Sequence, residues 1–272
     1  MVKTAVLVGA VLALSACTQE NTTNTASAAD TTEQTQTLRI AAAANLSDVL
    51  PAIVESYKTD KGLPNQDIDV TYASSGKLYA QIKAGAPYDI FLSANQEFPA
   101  KLANESPQSE NPHQPFTYAR GQLVLYSVTK PLGETNPVAL TDLFMSDINA
   151  KITIASPELA PYGASAKSYL QAQHVYDVLD KQKRLIQAEN IGQAFQYAHT
   201  GSVDYGFVAQ SQIIAIEAKP KQFITLAPES YPAILQDGIV ISDTSTATDF
   251  TDYLLSKAGQ QHFLQAGYLT VQ

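Results

Sequence analysis

One cysteine stands in the 272 residues, Cys17, so no disulfide can form within the chain and the fold must hold by its hydrophobic core. Arginine is scarce. Arg39, Arg120 and Arg184 are the whole complement, which leaves few planar forks for clasping a carboxylate. The four histidines, His113, His174, His199 and His262, form no His-Glu-x-x-His pattern and have no cysteine partner, so they spell no zinc site. The Gly-x-Ser-x-Gly elbow and the Lys-Thr-Gly strand of serine acyl-enzymes are both missing. No internal repeat is visible. Basic residues number 17 against 26 acidic ones, a net charge of −9 that argues against a nucleic-acid partner. An anion can still bind such a chain where the site is local and built from dipoles.

What is present begins with "MVKTAVLVGAVLALSAC". Lys3 is followed by an apolar run from Ala5 to Leu14 and then by small residues, a secretory signal too short to span a membrane. Leu14-Ser15-Ala16-Cys17 resembles the lipobox of bacterial lipoproteins. The resemblance implies cleavage ahead of Cys17, acylation of its sulfur, and a protein of the periplasm or cell surface anchored to a bacterial membrane by that lipid. Residues 18–37, polar and Thr-rich, cannot bury enough surface to offset their ordering entropy and read as a flexible tether.

From Leu38 onward about 235 residues remain, one large or two small domains. "TLRIAAAANLSDVLPAIVESYKTDKG" reads as a strand, a turn of small residues and an amphipathic helix with Leu46, Val49, Leu50, Ile53, Val54 and Tyr57 on one face. Gly62 is its stop. "DIDVTYAS" alternates as a strand, "SGKLYAQIKAG" is a short helix and "YDIFLSAN" an apolar strand. The second half repeats the grammar: strand "GQLVLYSV", helix "ALTDLFMS", then strand, turn and helix in "KITIASPELAPYGASAKSYLQAQ". "NIGQAFQYAHTGSVDYGFVAQSQII" is helix, Gly turn and strand; "YPAILQDGIVIS" holds a late-returning strand, and a helix or helix pair closes the chain. Strands alternating with helices predict an α/β fold with mostly parallel sheets.

Within this frame "SSGK" poses a choice. Ser74-x-x-Lys77 has the spacing of an acyl-enzyme nucleophile and its base. The companion motifs are absent, so a lipid-anchored Ser-x-x-Lys hydrolase is the remote alternative, and the chain reads as a non-enzyme. The other reading is a cradle. Four small-residue turns open helices after strands: "AAAANLS" (41–47), "ASSGK" (73–77), "APYGASAK" (160–167) and "AENIGQ" (188–193). The first turn of a helix leaves N–H groups unpaired, and in parallel α/β folds such turns gather where ligands bind. Asn45, Ser74 and Ser75 add side-chain donors. Taken singly, each has a plainer role: Asn45 and the serines as helix caps, Tyr162 as a loop aromatic, Ile191 as core.

Arg39 to Leu46, then Ala73-Ser74-Ser75-Gly76 with Gln81-Ile82 and Gly85-Ala86-Pro87-Tyr88-Asp89-Ile90-Phe91-Leu92-Ser93-Ala94, carry a resemblance. So do Ser156-Pro157 to Pro161-Tyr162-Gly163 with Ala166-Lys167, and Glu189-Asn190 to Gly201-Ser202-Val203-Asp204-Tyr205-Gly206-Phe207-Val208. In order and spacing they resemble the periplasmic molybdate-binding proteins of ABC transporters, over roughly Leu38 to Thr270.

The resemblance implies a two-domain clamshell of the type II periplasmic-binding-protein kind. Domain 1 would be 38–118 with 231–272, and domain 2 would be 119–230. The chain would capture molybdate, and tungstate with it, between the domains and deliver it as a monomer to the membrane permease of an ABC importer. No cofactor is implied, and molybdenum or tungsten would enter only as the oxyanion. Carried across residue by residue, the ligand set is Ala44, Asn45, Ser75, Tyr162 and Ile191, with Tyr162 and Ile191 acting through their main chain. Many members add a Tyr hydroxyl where this chain has Ala209, a loss that the Asn45 amide would offset. Asp89 would anchor the strand beneath the site, and Lys77 would be a solvated helix residue. The alternative is a binder of another tetrahedral oxyanion such as sulfate or chromate.

Overall fold

The computed structural model describes residues 36–105, 114–132, 140–269 and 271. The signal segment, the lipobox with Cys17 and the tether as far as residue 35 lie outside the described residues.

β1 (Leu38–Ala43) buries every side chain but Arg39. It passes through a 3-10 turn, Ala44–Leu46, and reaches α1 (Leu50–Asp60), with Pro51 in the first turn where a missing N–H costs nothing. Gly62 follows at φ +66°, the left-handed conformation that stops a helix. The helix thus begins later than its apolar run suggested, and Asn45 sits in the 3-10 turn ahead of it. β2 (Ile68–Ala73), α2 (Ser75–Lys83), β3 (Ile90–Leu92), α3 (Glu97–Glu105) and β4 (Phe116–Gly121) complete the first pass.

The middle of the chain builds a second set. It runs β5 (Leu123–Tyr126), α4 (Leu140–Ser146), β6 (Ile152–Ala155), α5 (Pro161–Ala172), α6 (Tyr176–Lys181) and β7 (Leu185–Ala188). It continues with α7 (Ile191–His199), β8 (Tyr205–Ala209), α8 (Gln210–Ala215) and β9 (Phe223–Thr225). β10 (Ile234–Val240) then returns to the first set, followed by α9 (Ser245–Leu255) and α10 (Lys257–Gln265).

The two sheets share one plan. The first has the order β2-β1-β3-β10-β4 and the second β7-β6-β8-β5-β9. In each, three strands pair in parallel and one reversed strand, β10 or β5, pairs antiparallel on both sides. Four of five strands therefore point the same way, and the expectation of a mostly parallel α/β fold is borne out. Each sheet with its flanking helices forms one lobe.

The first lobe packs Ile40, Leu50, Ile53 and Tyr57 against Phe250 and Leu254 of α9. Tyr57 meets Phe250 edge to face with centroids 5.2 Å apart, the favoured aromatic geometry. The second lobe is centred on Leu125, Ile154, Leu170 and Phe207. That apolar cluster runs on to Ala43, Ala44 and Ala94 of the first lobe. Small side chains at the ends of β1 and β3 thus let the second lobe come close, and this sets up the site. Asp89, expected as an anchor, accepts the Arg39 N–H at 2.7 Å and holds the start of β3 to β1.

Candidate functional site

All five residues of the expected set, Ala44, Asn45, Ser75, Tyr162 and Ile191, line one pocket. Four helical turns open onto it: the 3-10 turn after β1, α2 after β2, α5 after β6 and α7 after β7. Two come from each lobe. The first three have no side-chain cap, and apart from Gly76 and Gly163, whose N–H groups donate to the Leu159 and Ala160 carbonyls, their leading N–H groups are left for something else. At α7 the Asn190 side chain accepts from Gln193 N at 2.9 Å, which leaves the N–H of Ile191 ahead of that cap.

Close backbone approach makes this convergence possible. Gly76 N donates to Leu159 O at 2.9 Å, tying α2 of the first lobe to the turn before α5 of the second. A Cβ on Gly76 would stand 3.1 Å from the Leu159 Cα, so a side chain there would prise the two apart. Gly121 performs the same service for Tyr162, whose hydroxyl would lie 2.1 Å from a Cβ at 121.

The side-chain donors are buried. Ser75 Oγ accepts the Ala94 N–H at 2.9 Å, which leaves its own proton to donate. Ser74 Oγ also belongs to the lining and has no partner. Asn45 is fully buried; its Nδ2 donates to Gln236 Oε1 and to the Tyr268 hydroxyl, both at 2.9 Å, and its Oδ1 has no partner. In this arrangement both amide protons are spent on protein acceptors. Ala209 is buried at the end of β8, outside the pocket lining, and its N–H donates to Gln212 Oε1 at 2.9 Å. The tyrosine that meets Asn45 is Tyr268, which donates to the Asn45 carbonyl at 2.8 Å.

Tyr162 contributes more than main chain. Its hydroxyl accepts from Gln236 Nε2 at 3.2 Å and so links α5 to β10 of the other lobe. Burial pushes the Tyr118 and Tyr162 hydroxyls well above the ordinary phenol range and the Tyr268 hydroxyl up to about 12. All three stay protonated at neutral pH and can both donate and accept.

No charged side chain lines the pocket among the described residues. Arg184 is buried elsewhere, spending its guanidinium on the carbonyls of Phe144, Asp147 and Ala150 at 2.6–2.9 Å. Lys77 Nζ lies 2.5 Å from Glu189 Oε1 and Ser74 Oγ has no partner, so the Ser-x-x-Lys pair lacks the contact a nucleophile and its base require. What remains is a cavity without a charged side chain, lined by the Ser74 and Ser75 hydroxyls and by the openings of four helical turns, a chemistry suited to a small, fully dehydrated anion. Gln236 and Tyr268 were not foreseen. They lie 191 and 223 residues from Asn45, and no local pattern announces such partners.

The model of the bacterial extracellular solute-binding protein family matches residues 38–269. The molybdate-binding protein ModA of Rhodobacter capsulatus is 34% identical over 207 residues, covering 74% of this chain and 77% of that protein. The molybdate-binding protein ModA of Azotobacter vinelandii is 29% identical over 241 residues, covering 86% and 90%. The solved periplasmic molybdate-binding protein of Azotobacter vinelandii superposes with a TM-score of 0.74 at 30% identity, covering 86% of this chain and 100% of that one. These relatives bear out the resemblance drawn from the sequence motifs. They are binding proteins, which also bears out the reading of the chain as a non-enzyme.

Proposed function

The chain belongs to the bacterial extracellular solute-binding protein family, and from that premise we propose that its pocket captures molybdate, and tungstate with it, for an ABC importer. The observation that carries this reading is the lining itself: four helical turns from two lobes, buried hydroxyls at Ser74 and Ser75, and no charged side chain. Ala44, Asn45, Ser75, Tyr162 and Ile191 form the ligand shell in this proposal, with Ser74 added to it.

Energetics support a neutral cradle. Hydrogen bonds to a charged acceptor contribute about 1.5–3 kcal/mol each. Five or six together come to about 7.5–18 kcal/mol against the roughly 8 kcal/mol of micromolar binding, and above the low end of that range the surplus offsets dehydration and closure. Buried cations would add their own desolvation cost. Size then discriminates. Molybdate and tungstate have longer bonds to oxygen than sulfate has, and in a cavity of fixed donors the smaller ion leaves some of them out of reach.

Closure in this proposal moves domain 1 (38–118 with 231–272) against domain 2 (119–230). The sheets change over between Gly121 and Leu123 and back between Thr225 and Ile234, near those limits. Acylation at Cys17 holds the protein on the outer side of a bacterial membrane, beside the permease that receives the ion. A melting screen of the mature protein against molybdate, tungstate, chromate and sulfate tests the reading. Ligand at 100 times its dissociation constant stabilises by about 2.7 kcal/mol, so molybdate and tungstate are expected to raise the midpoint and sulfate to leave it nearly unchanged. Equal shifts with sulfate, or none with molybdate, would overturn it.

A further inference from the structure

Gln236 is fully buried on β10 between the two lobes. Its Oε1 lies 2.9 Å from Asn45 Nδ2 and 3.1 Å from the Tyr118 hydroxyl, and its Nε2 lies 3.2 Å from the Tyr162 hydroxyl. This arrangement strains the proton count. Tyr118 has one proton, and the Ser93 carbonyl 2.8 Å away can only accept, so that proton belongs to Ser93 and not to Gln236. The Tyr162 proton finds no acceptor beside an Nε2 that is itself a donor. Meanwhile Asn45 leaves an unpartnered Oδ1, an acceptor, as its remaining polar atom in a pocket of donors.

The same heavy-atom positions admit a second arrangement, with both carboxamides turned by half a revolution. Gln236 Nε2 then donates to the Tyr118 oxygen and to Asn45 Oδ1, while Gln236 Oε1 accepts from Tyr162. Tyr268 donates to Asn45 Oδ1, and the Ser211 hydroxyl, 3.3 Å from the Asn45 carbonyl, supplies that group. Every proton in the cluster has an acceptor except those of Asn45 Nδ2, which now occupies the unpartnered position. The two N–H donors of one buried amide group are left for the pocket, and an anion is what they lack.

We propose that Gln236 is a positioning residue that turns the Asn45 carboxamide so that its N–H, and not its oxygen, meets the bound oxyanion. Tyr118 of the first lobe already calls for this turn, and the Tyr162 hydroxyl of the second lobe adds a donor that matches it. The proposal rests on the oxyanion-binding reading above and adds to it the residue that sets its donor polarity.

A double-mutant cycle on the mature protein tests it, with molybdate affinity read by calorimetry for the unaltered protein, Asn45→Ala, Gln236→Met and the double variant. Gln236→Met removes the relay at nearly constant volume. It is expected to weaken molybdate by about tenfold or more in the unaltered background, the worth of one charge-assisted hydrogen bond, and to change little once Asn45 is Ala. Losses that simply add would show Gln236 to be structural and overturn the proposal. Unchanged affinity in Gln236→Met beside weakened Asn45→Ala would overturn it while leaving the oxyanion reading intact, and no molybdate binding by the unaltered protein would overturn both. Should Gln236→Met not fold, the side-chain amide resonances of Asn45 in the unaltered protein decide the matter. They are expected to move downfield and exchange more slowly with molybdate, and resonances indifferent to molybdate would rule the proposal out.

Discussion

Lys77 and Glu189 join the two lobes beside the pocket, with Nζ 2.5 Å from Oε1. Lys77 stands two residues after Ser75 and Glu189 two before Ile191, so this pair bridges the segments that supply the ligand shell. Both side chains are nearly half exposed, and such pairs contribute about 0.2–1 kcal/mol. Lys77 is thus solvated, as its sequence context suggested, but also paired. Lys77→Ala is expected to weaken molybdate by less than about fivefold, with the difference shrinking at high salt. Calorimetry at two ionic strengths checks this; abolished binding at both would mean a direct role for the ammonium group.

Ser75→Ala removes two interactions at once. The ligand loses an O–H donor, and the Ala94 N–H loses its acceptor. Molybdate affinity is expected to fall by about 1.5–3 kcal/mol, while stability without ligand falls by about 1–3 kcal/mol. Titration and chemical denaturation separate the two effects. Undiminished affinity would remove Ser75 from the shell.

Much of this was legible in the chain. β1, β2, β6 and β8 announce themselves by apolar residues beside small-residue turns, and α7 follows its Asn190 cap as the motif suggests. β7 and β9 are short and only partly buried, so no apolar run or clear alternation marks them. α1 starts at Leu50 although its apolar run begins at Leu46, because the 3-10 turn buries Leu46 without belonging to the helix. The closing segment resolves into two helices because Ser256, extended at ψ 166°, ends α9 and caps α10. At the site, small residues after strands brought all five expected positions to one pocket. Gln236 and Tyr268 were out of reach, since strand β10 and the C-terminal turn place them there by tertiary pairing alone.

The buried tyrosines give stability a definite pH dependence. Tyr268 is pushed up to about 12 from 10.0, chiefly by burial, and Tyr118 and Tyr162 also rise. A phenol whose pKa is higher folded than unfolded holds its proton more tightly in the folded state. Its contribution is complete below about pH 10 and is lost as pH rises toward 12. Tyr268 alone accounts for a loss on the order of 3 kcal/mol across that window. Urea midpoints from pH 7 to 11 are expected to hold level and then fall above 10, less steeply in Tyr268→Phe. A level profile through pH 11 would contradict this.

Anchoring is tested at the single cysteine. Cys17→Ser is expected to block acylation and move the protein from the detergent phase to an uncleaved or aqueous form in phase partitioning. Unchanged partitioning would show that Cys17 carries no lipid.

The most direct test of an oxyanion cradle built from neutral donors is a calorimetric titration of the mature protein with molybdate and, separately, with sulfate. Two donors left unmet by the smaller ion, at about 1–3 kcal/mol each, correspond to a preference of roughly tens- to ten-thousands-fold. Tight molybdate binding with sulfate weaker by at least about thirtyfold is the expected result. Equal affinity for the two ions would contradict it.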